Sequence, residues 1–180
     1  MRIAVVPSAP VLLPQYASLT DPVAEMRAAA LDAVRWVASE GPVTVLADDL
    51  GHRVARHLLG EVGGRATDEP GERVLVVADG SARRGEKAPG HLDERAFGYD
   101  AAIGDALRQG DAKALAVLDP ELGAQLLVGG VPAFRALGEL VVHHGDLRQT
   151  AGDLRVRADV DYDADPYGVQ YWVVRWQCDS

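Results

Sequence analysis

Residues 74–111 read VLVVADGSARRGEKAPGHLDERAFGYDAAIGDALRQGD. The opening run Val74–Val77 is apolar and is bounded by Glu72-Arg73 and Asp79-Gly80, which is how a strand buried on both faces of an α/β sheet is written. A polar stretch punctuated by Gly80, Gly85, Pro89 and Gly90 follows, before helical spacing resumes near Arg95. Loops at the carboxyl ends of α/β strands are where such folds place their chemistry, so the expected pocket lies here.

Working outward toward the amino end, Arg2–Val6 reads as a first buried strand, closed by PSAPVLLP, whose three prolines exclude both a helix and a central ladder. Asp21 as N-cap and Pro22 at the first helical position start a helix with Val23, Met26, Ala30, Leu31, Val34 and Val37 on its apolar face, ended by Gly41. Val43–Ala47 reads as the second strand. Asp48-Asp49 lead into a helix over Leu50–Val62, which Gly63-Gly64 closes. The resulting βαβαβ order predicts right-handed crossovers and a mainly parallel sheet.

Toward the carboxyl end, Tyr99, Ile103, Ala106 and Leu107 share a helical face stopped at Gly110. Short helices are expected from Asp111 and from Asp119-Pro120, and a longer apolar one over Ala133–Val142. Leu154, Val156, Ala158, Val160 and Tyr162 alternate with charged residues, the pattern of a strand with one wet face. The turn Asp165-Pro166-Tyr167-Gly168 leads into Val169–Trp176, which predicts an antiparallel hairpin at a sheet edge. The expected fold is therefore a single α/β domain over residues 1–180, with a mainly parallel central sheet flanked by helices.

The chain has 180 residues, 48% of them hydrophobic and only 6% aromatic, enough for one core packed by Ala, Val and Leu. A formal charge of −9, with no basic run longer than Arg83-Arg84, argues against nucleic acid or an anionic membrane as partner. The lone Cys178 offers neither an internal disulfide nor a metal-ligand spacing. The segment Ile3–Val6 is too short for a signal or membrane segment, so the expected location is the cytoplasm.

Several motif readings fail on their own chemistry. Gly80, Gly85 and Lys87 approach a phosphate-binding loop, but Glu86 takes the lysine position and Ala88 replaces the Ser or Thr that should follow. His52 and His57 are five apart, so on a helix they point roughly 140° from each other and not at one metal. The adjacent His143 and His144 face different ways. Asp159, Asp161, Asp163 and Asp165 lack the Gly and Glu of a calcium loop and read as a solvated strand face. Ser81 does not sit in a G-x-S-x-G context.

Four stretches, PSAPVLLPQ at 7–15, LGHRVARHLLGEVG at 50–63, residues 76–111 and YDADPYGVQYWVVRW at 162–176, together resemble the class III extradiol ring-cleavage dioxygenase superfamily. The likeness is to the B-type chains of that superfamily, in a small actinobacterial-style branch with alanine-rich helices. That resemblance implies a ferrous iron held by two histidines and a carboxylate, with a further histidine acting on the substrate hydroxyl. Against it, Ser8 stands in the position of the first ligand and Ala82 in that of the acid/base histidine after Ser81. The second ligand would fall near Asp48-Asp49, with His52 the first histidine there, and Glu139 is the candidate carboxylate.

The expectation is a non-catalytic member of this superfamily without cofactor, with a cleft framed by Ser8, Asp48, Asp49, Asp79, Ser81 and Arg84 that takes a small molecule or a partner protein. The competing expectation is an enzyme, with either a metal on Asp48, Asp49 and His52 or hydrolytic chemistry at Asp79 and Ser81. A homodimer through the hairpin, with Tyr171, Trp172 and Trp176 as its apolar centre, is a third expectation.

Overall fold

A computed structural model describes residues 1–16, 21–147 and 155–179. Six strands form one sheet: β1 (Arg2–Val6), β2 (Val43–Ala47), β3 (Ala66–Thr67), β4 (Arg73–Val77), β5 (Arg155–Ala164) and β6 (Tyr171–Asp179), in the order β3-β2-β4-β1-β6-β5. The first four are parallel, whereas β6 runs antiparallel to β1 and β5 antiparallel to β6. The hairpin thus joins the sheet through β6 and leaves β5 at the rim.

Alternation along the strands divides the interior in two. Ala4, Val6, Leu75 and Val77 face the layer of α1 (Ala24–Ala38) and α2 (Asp49–Glu61), where Met26, Val34, Val54 and Leu58 complete a core. Ile3, Val5, Val74 and Val76 face α3 (Arg95–Gln109), α4 (Ala112–Ala116), α5 (Pro120–Gln125) and α6 (Val131–Leu147). On that side Phe134 meets Trp172 edge-on at 6.1 Å, a geometry that contributes about 1 kcal/mol beyond the area buried. Trp176 is fully buried and donates its indole N–H to the Leu107 carbonyl at 2.7 Å.

Local signals place most boundaries. The Asp111 and Asp119 side chains accept the first free amides of α4 and α5, and Gly110 ends α3 with φ 70°. Gly138 brings α6 against α4: a Cβ there would lie 2.5 Å from the Ala112 carbonyl oxygen. Helix α1 starts later than expected, at Ala24. Asp21 accepts the Val23 amide at 3.0 Å and pairs with Arg27, forming a turn before the helix instead of its N-cap. The proline loop winds into two 3-10 turns, Pro10–Leu12 and Pro14–Tyr16. Strand β3 has no counterpart among the expected elements, because two residues carry no period.

The hairpin departs from its expected pattern in two ways. Strand β5 does not keep one face throughout: Val160 opposes Val174, but Tyr162 opposes Val173, and Asp161 between them opposes nothing. This bulge leaves Val156 and Ala158 packed on the α3–α6 core and turns Tyr162 to the α1–α2 core. Leu154, the first residue of the expected alternation, lies outside the described residues. Tyr171, Trp172 and Trp176 are 7%, 2% and 0% exposed, so they belong to the protein's own cores and are not the apolar centre of a dimer surface. Among the described residues no helix is long and apolar enough to cross a membrane.

Candidate functional site

The carboxyl ends of β1, β2 and β4 and the approach to β6 meet at one end of the sheet, and a cavity of about 190 Å³ opens there. Ser8, Asp48, Asp79 and Gly80 supply its polar edge; Leu50, Val77, Leu127 and Val169 are its aliphatic walls. The sheet explains the meeting, because the parallel strands deliver their following loops to the same end. Gly130, between α5 and α6, closes one side; a Cβ there would stand 2.6 Å from the Asp79 carbonyl oxygen.

Each polar group at this edge has a distinct environment. Ser8 is 6% exposed and its amide donates to Asp79 Oδ1 at 2.6 Å. The Ser8 hydroxyl oxygen is buried and has no hydrogen-bond partner among the described residues. Asp48 caps α2, accepting the Gly51 amide at 2.6 Å. Asp79 keeps a partial exposure, yet burial pushes its carboxyl up to about 7. The Ser8 amide opposes that rise and Asp48 adds to it. Burial first, and then the charge of Asp79, also raise the Tyr171 hydroxyl above its ordinary range.

Ser81 and Arg84 belong elsewhere. Ser81 is 0% exposed, and both its amide (2.8 Å) and its hydroxyl (2.5 Å) donate to Asp100 of α3. Arg84 reaches the same carboxylate at 3.3 Å, bonds Asp165 at 2.8 Å and lies over the Phe97 ring. Asp100 is 2% exposed; burial raises its pKa, while the Ser81 hydroxyl and amide and the Arg84 guanidinium hold it down. The neighbouring pocket, lined by Arg84, Asp100, Arg108 and Asp163 among others, shares no residue with the Ser8 cavity.

The six sequence candidates therefore divide. Ser8, Asp48 and Asp79 converge; Asp49 is the exposed first residue of α2; Ser81 and Arg84 tie the loop between β4 and α3 to Asp100 of α3 and to Asp165 at the hairpin turn. A serine buried against a carboxylate is not placed as a hydrolytic nucleophile. Sequence reasoning misses Asp100, though a signal exists: it falls on the helical stripe of Ala96, Ile103 and Leu107, where a charge implies a buried partner.

His52 is exposed on α2, and Glu139 lines a separate surface groove with Pro120, Val131 and Arg135. Among the described residues no three His, Cys, Asp or Glu side chains gather to hold a metal. The donors at the cavity, one hydroxyl and two carboxyl groups without imidazole, do not fit the two-histidine, one-carboxylate site of ferrous iron. No protein-family model matches the chain, and no curated protein matches it.

Proposed function

We propose that this protein is a non-catalytic relative of the class III extradiol dioxygenases that binds a small molecule in the Ser8–Asp79 cavity. The observation that carries the reading is the Ser8 hydroxyl, buried at the cavity edge without a partner among the described residues. A buried polar atom left unpaired costs about 1–3 kcal/mol, and water or a ligand group at that spot removes the cost. The iron chemistry of the resembled family has no counterpart here: Ser8 is a poor ligand and Ala82 transfers no proton.

Two measurements test the two halves of this reading. Protein loaded anaerobically with ferrous iron and then given catechol and oxygen is expected to retain no stoichiometric iron and to open no ring. One tightly held iron per chain, or ring cleavage, overturns the non-catalytic half. Amide spectra of ¹⁵N-labelled protein, titrated with a mixed panel of neutral, cationic and anionic small molecules, are expected to shift at Ser8, Gly80 and Gly130. A panel that leaves those amides in place overturns the binding half.

A further inference from the structure

We infer that the Ser8–Asp79 cavity selects a small organic cation, an ammonium group carried on a compact aliphatic body. This rests on the cavity being a binding site, and it adds the chemical class. Two carboxyl side chains, Asp48 and Asp79, reach the lining, and among the described residues no Lys or Arg does. Arg84 lines the other pocket, where Asp100 and Asp165 already hold its guanidinium, and Arg83, packed beside Gly90 and Leu127, is not among the lining residues either.

What the edge offers is acceptors. Asp79 uses Oδ1 for the Ser8 amide, and its Oδ2 receives no hydrogen bond from a described residue. The Ser8 hydroxyl oxygen is likewise unengaged. An ammonium group brings three donors and a positive charge, which matches two acceptors on adjoining groups beside a second carboxylate. An anion would meet the carboxyl groups of Asp48 and Asp79 with only the backbone amides at the starts of α2 and α6 to offset them.

The walls set the rest of the ligand. Leu50, Val77, Leu127 and Val169 are aliphatic, and among the described residues no aromatic ring lines the cavity, so a flat ring finds nothing to stack on. About 190 Å³ holds roughly six water-sized groups, which suits a short branched chain. Apolar walls also disfavour a bare metal ion, which would keep a shell of oxygen ligands. The net charge of −9 raises the local concentration of cations in the same direction.

Three probes with the same branched carbon body separate the possibilities at pH 8: isobutylamine, isobutanol and isobutyrate, each titrated against ¹⁵N-labelled protein while the Ser8, Gly80 and Gly130 amides are followed. Isobutylamine is expected to bind at least tenfold more tightly than isobutanol, and isobutyrate not to bind. Asp79→Asn, with an otherwise unchanged spectrum, is expected to remove the preference for the amine. Isobutanol binding as tightly as the amine, or isobutyrate more tightly, overturns the cation inference and leaves a ligand-binding cavity standing. If none of the three moves these amides the inference also fails, and the wider panel alone then decides whether the cavity binds anything.

Discussion

Asp79 and Ser81 flank Gly80, yet the two sides of that glycine follow opposite rules. On one side Asp100 is surrounded by donors: the Ser81 amide and hydroxyl and the Arg84 guanidinium all reach its carboxylate. On the other, Asp79 has one amide for company, a second acid nearby and an unpartnered hydroxyl beside it. Both carboxyl groups lose hydration on burial, but only Asp100 finds a full set of replacements within the protein. A closed polar network fixes structure, whereas an unclosed one leaves chemistry for an outside molecule to complete.

Removing Arg84 breaks the contrast most severely. Arg84→Ala leaves the carboxylate of Asp100, 2% exposed, short of its cation, and is expected to cost about 3 kcal/mol in urea unfolding at pH 7. Asp79→Asn should act in the other direction. The folded protein keeps the Asp79 proton up to about pH 7, whereas the ordinary carboxyl loses it near 3.8. The wild type therefore loses stability as pH rises from about 4 to about 7. The substitution should recover on the order of 2–3 kcal/mol at pH 8, allowing for the water Asp79 still sees, and nothing below about pH 4. Paired unfolding curves at the two pH values check the sign.

The two serines sharpen the comparison, because one substitution should give two outcomes. Ser81→Ala removes a buried hydroxyl donor to Asp100 and is expected to cost about 2 kcal/mol. Ser8→Ala removes an oxygen that bonds nothing among the described residues, so it should not lower stability, and relief of the unpaired group raises it by up to about 1–3 kcal/mol. Equal losses at the two positions would show that the Ser8 hydroxyl has a partner after all.

The sheet is legible wherever the signal is local. Apolar runs bounded by charge mark β1, β2 and β4, and Asp111, Asp119-Pro120 and Gly110 mark helix ends through their own backbone chemistry. Ser8, Asp48 and Asp79 are legible as a group because each follows a parallel strand, and such strands deliver their following loops to one end. Ser81 and Arg84 join that group only by closeness in sequence, and nothing in the sequence reveals that the chain turns them toward α3. Their partner Asp100 lies nineteen residues from Ser81, and only an acid on an apolar stripe hints at it.

Asp161 works as a half-step in the weave of β5. The letters on either side of it alternate without interruption, yet the strand serves one helical layer before it and the other after it. Shortening the chain by one residue at this point would send Tyr162 toward α3 and strip an aromatic from the layer of α1, whereas exchanging Asp161 for another side chain would leave that allocation in place. At this one position, the number of residues carries architectural information that their identities do not.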